Sequence, residues 1–351
     1  MIIMKFGGTS VGNAERIKNV ANIIKSHIKK KPIVVVSAVT KITDALIKLA
    51  NESANGKGDE TFSSIKKIHY DILEKLMLDE SLLENDIQEL LDLVNKTKGN
   101  KKLDDKTLDH FQSFGEQMSS KIVAAQLNKI SVNAKAFNSW ELGFLTDSEF
   151  GNAEPLDVTY SNIKNSIKKI DVVPVITGFI GKTENGDITT LGRGGSDYTA
   201  GVIGAAIDAD EIQIWTDVDG VMSTDPKIVS DAKTLEKVSF AEASELAYFG
   251  ARVLHPKTIL PALKKNIPVR VLNSFNPTNK GTLIVNKISK LNQIVKAIAY
   301  KKNITLINIE SKRMLGAYGF LARIFDIFDE YKKSIDVVST SEVGVSLTID
   351  N

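Results

Sequence analysis

Residues 1–12 read Met-Ile-Ile-Met-Lys-Phe-Gly-Gly-Thr-Ser-Val-Gly. The apolar run Met1–Met4 predicts a buried strand that carries Lys5 and Phe6 to the mouth of a glycine turn, Gly7-Gly8. Beyond the turn, Ile17, Val20, Ala21, Ile24 and Ile28 recur at helical spacing and predict a helix over 14–29. A strand, a Gly-Gly turn and a helix let the backbone come close to phosphate oxygens, offering them N–H groups and a helix N-terminus. Lys5 adds a full positive charge at that point. The stretch predicts a phosphate-handling α/β enzyme.

Size and composition narrow the field. A chain of 351 residues suggests about two domains, and 42% hydrophobic residues can fill a sizeable core. A net charge of +2 creates no global field for nucleic acid, so no such partner is expected. The absence of cysteine excludes disulfides, thiolate metal sites and a thiol nucleophile, and fits a reducing cytoplasm. No apolar run approaches a membrane span, and Met1–Met4 is too short for a signal peptide. A soluble cytoplasmic protein with no membrane contact is expected.

Pro32–Ala38 is a continuous apolar run that predicts a parallel strand buried on both faces. Residues 42–130 have helical spacing throughout, broken by a charged loop at Gly99–Asp105. Further strands are predicted at Ser131–Phe137, Val172–Phe179, Glu211–Thr216 and Val269–Leu272, with helices at Asp197–Ala206 and Ala241–Phe249. This alternation implies a mostly parallel sheet sandwiched by helices, closed by a strand and linker over Pro277–Lys290. From Val295 the texture changes. Strands are predicted at Val295–Tyr300, Ile304–Ile309, Ile335–Ser339 and Val343–Ile349, around a helix at Ala317–Tyr331. That tail reads as a small α+β unit, too small to be comfortable alone.

Several constellations could carry chemistry. Thr190–Ser196 reads Thr-Leu-Gly-Arg-Gly-Gly-Ser, followed by Asp197 at a helix start. Its glycines permit close backbone approach, and Arg193 offers a planar fork suited to a carboxylate. Asp197 is either a first-turn acid favoured by the helix dipole or an acid that orients Lys5 or a metal. Trp215–Pro226 is dense in acids and turn formers but lacks the glutamate that closes an EF-hand, so a Ca²⁺ loop is rejected. Thr216, Asp217 and Asp219 fall at a strand's C-terminal end, where open α/β sheets bind ligands. Glu116, in Phe114-Gly115-Glu116, reads by itself as a solvated helix face. Ser37 and Thr43 serve equally well as turn caps or ligand contacts. The four histidines have no metal spacing, and His255 reads as a structural hydrogen bonder. The glycine patterns match neither the dinucleotide fingerprint nor a P-loop.

Taken together, Lys5–Ser10, Ser37-Ala38 with Thr43, Phe114–Glu116, Gly192–Asp197, Thr216–Gly220 and Phe249–Pro256 resemble the aspartate kinase family of the amino acid kinase superfamily, in order and in spacing. The tail, Met314–Ile349, resembles that family's ACT regulatory module, of the lysine-sensitive type. The resemblance implies an amino acid kinase catalytic domain over 1–290, its earlier part binding aspartate and its later part ATP, and a partial ACT-like domain over 294–351. It implies transfer of phosphate from ATP to L-aspartate, giving 4-phospho-L-aspartate and ADP, as the first step toward lysine, threonine and methionine. By the resemblance Lys5 contacts the transferring phosphate, with Phe6, Gly7 and Gly8 around it, and Asp197 orients Lys5. Arg193 clamps a carboxylate of aspartate, Glu116 takes its ammonium group, and Ser37, Thr43, Gly194, Gly195 and Ser196 complete that pocket. Thr216, Asp217, Asp219, Met222, Lys227, Arg252 and Val253 line the nucleotide site. Mg²⁺ bridges the ATP phosphates, with no protein ligand assigned to it.

Two departures from the family stand out. Arg252 occupies a position where the family often has lysine, which keeps the charge and changes its geometry. The family's tail normally holds two interleaved ACT units. Here the first ends after its third strand and the second is nearly absent, unless a separate chain supplies the remainder. An effector site for lysine or threonine would use Met314, Phe320, Leu321, Ser334, Asp336, Ser341 and Glu342. Unpaired sheet edges in the tail predict a homodimer. Two other readings stay open: an acetylglutamate or glutamate 5-kinase, and a non-catalytic amino-acid-sensing subunit. Glu116 argues against an acetylated acceptor, since an acetylated amine carries no charge to pair, and the ACT-like tail favours aspartate over the other members. The intact Lys5, Arg193 and Asp197 argue against the second.

Overall fold

The computed structural model describes residues 1–350 apart from 101, 249–255, 289–294 and 317, and of 248, 256 and 257 it describes the backbone alone. The segment Phe249–Pro256, with Arg252, Val253 and His255, lies almost wholly outside the described residues. The chain divides into two compact units, Met1–Ile298 and Ala299–Asn351.

The first unit opens with β1 (Ile2–Phe6), α1 (Ala14–Ser26) and β2 (Pro32–Val36). Four helices follow: α2 (Ile42–Ala54), α3 (Asp59–Leu76), α4 (Glu84–Thr97) and α5 (Asp105–Lys129). Then come β3 (Ala134–Phe137), β4 (Leu145–Thr146), α6 (Val158–Ile167), β5 (Val173–Thr177) and a hairpin of β6 (Ile180–Thr183) and β7 (Ile188–Thr190). The unit continues through α7 (Gly195–Ala206), β8 (Glu211–Thr216), β9 (Lys237–Ser239), α8 (Phe240–Tyr248), α9 (Pro256–Lys264), β10 (Val269–Asn273) and β11 (Thr282–Val285).

Eight strands form the main sheet in the order β3-β5-β2-β1-β8-β10-β11-β9. Neighbours are parallel from β3 to β10, β11 runs antiparallel to β10, and β9 is parallel to β11. Every residue of β1, β2 and β5 is buried, which is why these strands are continuous apolar runs rather than alternating ones. The two-residue period of β1 still sorts its side chains. Ile2, Met4 and Phe6 enter one core with α1–α5, while Ile3 enters the other with α6–α9. Lys5 shares the side of Ile3 and therefore points toward α7.

The chain leaves β1 for β2 on one side and reaches β8 on the other. Phe6 is in register with Val36 and with Trp215. Gly7, Ser37 and Thr216 consequently emerge at one level, at the carboxyl ends of three adjacent strands, where open α/β sheets reverse their winding and bind ligands.

The second unit holds β12 (Ile304–Glu310), α10 (Phe320–Glu330), β13 (Ile335–Thr340) and β14 (Gly344–Asp350). Its antiparallel sheet has the order β12-β14-β13. Ile324, Val345 and Leu347 make its core, with Ile309, Met314, Phe320, Phe328 and Ile335 packed around them.

One expected strand needs correction, and one small sheet was not expected. Val295–Tyr300 is not a strand: its alternation has no partner strand among the described residues, and Val295 and Ile298 are 65% and 66% exposed. Ile298 instead donates its N–H to the Ser223 carbonyl. The small sheet β4-β6-β7 was absent from the sequence reading, although Thr183-Glu184-Asn185-Gly186 carries a turn signal between its two hairpin strands.

Candidate active site

Glycine 8 sets the shape of the first loop. A Cβ on Gly8 would lie 2.8 Å from the Ala38 carbonyl oxygen, so a side chain would push the loop away from the end of β2. Thr40 Oγ1 donates to the Gly8 carbonyl at 2.8 Å and ties the two loops together. On the far side Ser10 Oγ shares a 2.8 Å hydrogen bond with Ser274 Oγ, beyond β10. The Gly7 N–H donates to the Trp215 carbonyl at 3.1 Å, while no described group accepts the N–H of Gly8. Of the two amides expected at a phosphate, that of Gly8 is free to donate and that of Gly7 is engaged.

Lys5 and Asp197 meet at 2.6 Å, with side chains only 11% and 15% exposed. The contact is a charge pair rather than an aligned hydrogen bond, since Asp197 Oδ1 has no hydrogen-bond partner of regular geometry. Asp197 sits in the first turn of α7, and its carboxylate lies against the Lys5 ammonium. Gly194, at φ 75, turns the chain into α7 through a left-handed conformation. Arg193, just before it, is exposed and has no ion-pair partner among the described residues. Ser196 is buried against Gly178, where a Cβ would lie 2.6 Å from the Ser196 Cβ.

Glu116 is not on a solvated face. It is 3% exposed in α5, and its Oε1 accepts the Ala38 N–H at 3.0 Å. Its Oε2 is buried with no partner. Burial pushes the carboxyl up to about 8, against the opposing pull of the Ala38 N–H, its own backbone N–H and the Lys5 charge. Ala38 lies in the segment that also presents Ser37 and, at the start of α2, Thr43, both partly exposed. A buried carboxyl group with one unpartnered oxygen, protonated near pH 7 until a cation pairs with it, suits a cationic group of a ligand.

On the β8 side, Asn273 Nδ2 donates to Asp219 Oδ1 at 2.7 Å, and Thr216 Oγ1 to Asp217 Oδ1 at 3.2 Å. Met222 bridges to Thr234. Lys227 is exposed, and its backbone N–H donates to Asp225 Oδ1 at 2.9 Å. No group of three or more acids or histidines suited to a metal occurs among the described residues.

In the second unit Met314, Phe320, Leu321, Ser341 and Glu342 line one hollow of about 400 Å³. Ser334 and Asp336 are not on its lining; Asp336 instead takes the Lys301 ammonium at 2.9 Å.

The sequence reading missed Asp109 and Phe179. Asp109 lies seven residues before Glu116 on α5, a spacing of nearly two turns that could have exposed it. Phe179 adopts φ 67, rare for an aromatic residue, and packs beneath Gly195. Local sequence carries no signal for that.

Residues 1–273 match the model of the amino acid kinase family. The lysine-sensitive aspartokinase 3 of Escherichia coli (strain K12) is 38% identical over 100% of this chain and 78% of its own length. The chain belongs to the aspartokinases of the amino acid kinase family. The chloroplastic aspartokinase 2 of Arabidopsis thaliana is 43% identical over 99% of this chain and 66% of its own length. The chain thus spans just under two thirds of the length of that relative. Solved structures of E. coli aspartokinase III, with lysine and aspartate (T-state) and with aspartate and ADP (R-state), each superpose with a TM-score of 0.85 at 36% identity, covering 100% of this chain and 79% of theirs. That likeness supports an α/β aspartokinase fold with an ACT-like second unit. No helix among the described residues is long and apolar enough to cross a membrane.

Proposed function

We propose that this chain is an aspartate kinase, transferring the γ-phosphoryl group of ATP to the side-chain carboxylate of L-aspartate to give 4-phospho-L-aspartate and ADP. The single observation that carries the reading is the Lys5–Asp197 pair at 2.6 Å, set where Gly7, Ser37 and Thr216 emerge together. The acceptor carboxylate has a pKa of about 4 and is ionised at pH 7, so no general base is needed. The barrier is electrostatic: one anion approaches another while charge spreads over the phosphoryl oxygens. Lys5, held by Asp197 and largely buried, supplies preorganised positive charge there, and the Gly8 N–H supplies a dipole. Arg193 binds a carboxylate of aspartate, and Glu116 Oε2 accepts from its ammonium group, with Ser37, Thr43, Gly194, Gly195 and Ser196 around them. The carboxylate oxygen forms its bond to the γ-phosphorus as the bond to the β-bridging oxygen breaks, and ADP departs.

Thr216, Asp217, Asp219, Met222 and Lys227 hold the nucleotide, with Arg252 and Val253 from the segment outside the described residues. Asp217 and Asp219, which follow the end of β8, are the carboxylates that would help hold Mg²⁺ together with the nucleotide. When bound, the ion would supply neutralisation of phosphate charge. The domains are a catalytic one over 1–290 and an ACT-like one over 294–351. The product enters lysine, threonine and methionine synthesis in the cytoplasm. The hollow at Met314, Phe320, Leu321, Ser341 and Glu342 takes a lysine or threonine effector, and a second copy of the chain pairs through the open edges of β12 and β13.

ADP release measured with L-aspartate, L-glutamate and N-acetyl-L-glutamate, with and without lysine and threonine, tests the proposal. Release with aspartate alone is expected. Release with another acceptor, or with none, overturns it.

A further inference from the structure

Asp109 sits in the first turns of α5, 1% exposed, and takes part in no ion pair among the described residues. Its carboxylate collects three donors. Oδ2 accepts the Gly151 N–H at 2.9 Å and the Thr190 N–H at 2.8 Å, and Oδ1 accepts the Thr190 hydroxyl at 2.8 Å. Thr190 is the last residue of β7 and the first of the segment that runs to Asp197. The Thr190 carbonyl accepts the Ala153 N–H at 2.9 Å, which closes the cluster. Two residues on, Gly192 has φ 70, and a Cβ there would lie 2.9 Å from Asn152 Oδ1 and 3.1 Å from the Gly151 carbonyl. The 151–153 turn and the start of the Arg193 loop are thus fitted to each other, with the Asp109 carboxylate as their common acceptor.

The same helix carries Glu116. Seven residues make nearly two full turns, so Asp109 and Glu116 project from one face of α5, about 10 Å apart along its axis. One rigid element therefore presents Glu116 Oε2 and fixes the backbone from which Arg193, Ser196 and Asp197 depart. Burial pushes the Asp109 carboxyl up from its ordinary value, opposed by the three hydrogen bonds. A group held buried against that cost has a structural or positional task.

We propose that Asp109 is a positioning residue that sets the distance between Glu116 and the Arg193–Asp197 loop, and so the fit of the amino-acid substrate between its ammonium and carboxylate ends. This rests on the aspartate kinase reading above for the identity of that substrate.

The test compares Asp109→Ala, Asp109→Asn and Thr190→Val with the wild type in the full chain. Asp109→Ala is expected to raise KM for aspartate at least tenfold while KM for ATP stays within about twofold. Asp109→Asn, which keeps an acceptor, recovers part of that loss, and Thr190→Val, which removes one of three bonds, shows the smallest shift. Amide hydrogen exchange over 190–197 without substrate should be faster in Asp109→Ala than in the wild type. This readout does not depend on the reaction, so it separates failure of the positioning role from failure of the kinase reading. Equal shifts in both KM values, or exchange and KM both unchanged in a folded Asp109→Ala, overturn the proposal. If Asp109→Ala does not fold, the graded pair Asp109→Asn and Thr190→Val decides by the same split in KM.

Discussion

The two units treat their apolar residues in opposite ways. In the first, β1, β2 and β5 are buried along their whole length, and two cores cover the faces of the sheet. In the second, no residue of β12 is buried, and Ile304, Leu306, Leu315, Ile327 and Val337 are all exposed by more than two fifths. Its core rests on three residues, Ile324, Val345 and Leu347. The difference decides where charge can be kept. A large core can hold Lys5, Asp109 and Glu116 away from water, because apolar burial elsewhere offsets their desolvation. A unit of about fifty residues has little surplus of that kind. Apart from Asp336, which lies under Lys301, its charged groups stay at the rim, as Glu342 does.

The largest effect is expected at Lys5, the charge that the first unit's core keeps from water. Lys5→Ala should lower kcat by about 10²–10³, the loss expected for one preorganised donor. A thermal melt checks that the fold survives. Wild-type turnover in a folded variant would remove the residue from the chemistry.

The next effect is on the thin core. Leu347→Ala deletes one of three buried residues and should destabilise the second unit by about 3 kcal/mol, within the range for buried leucine truncation. Hydrogen exchange should then show β12–β14 losing protection while β1, β2 and β5 keep theirs. Equal loss in both units would mean that the two do not melt separately.

The smallest effects are on pH dependence, at most about 1.4 kcal/mol per pH unit for each group. Glu116 is raised from 4.5 to about 8, so between those values the folded state holds a proton that the unfolded state has lost. Stability from this group falls as pH rises through that window. His69, fully buried with its Nε2 unpaired, is lowered from 6.5 to about 4 by burial. Between pH 4 and 6.5 the unfolded state holds the extra proton, so stability from this group falls as pH falls. The two slopes offset each other between pH 4.5 and 6.5, and that of Glu116 stands alone from 6.5 to 8. Glu116→Gln should flatten the melting temperature above pH 6.5, and His69→Phe should expose the Glu116 slope below it. A melting profile unchanged in both variants would place the pH dependence elsewhere.

Much of the site was legible before any coordinates. The glycine turn after β1, the Arg193–Asp197 loop and the acid-rich segment after β8 all follow strands or precede helices in ways that local pattern reveals. Glu116 was legible only as a motif. Nothing in Phe-Gly-Glu says whether a carboxylate faces water, because burial of α5 depends on helices packed from elsewhere in the chain. Asp109 was invisible for the same reason, since its partners Gly151 and Thr190 lie 42 and 81 residues away. The strand expected at Val295–Tyr300 failed because alternation describes a residue's own preference, whereas a strand exists only when another strand accepts its hydrogen bonds.

The sequence by itself determined the periodicities: unbroken apolar runs that must lie inside a parallel sheet, helical stripes that must cover it, and glycines where backbone passes close to backbone. The tertiary structure alone decided which charges meet. Lys5 and Asp197 are 192 residues apart and touch because β1 sends its odd-numbered side chains toward α7. Coulomb energy depends on distance and dielectric, and both are properties of the folded packing rather than of position along the chain.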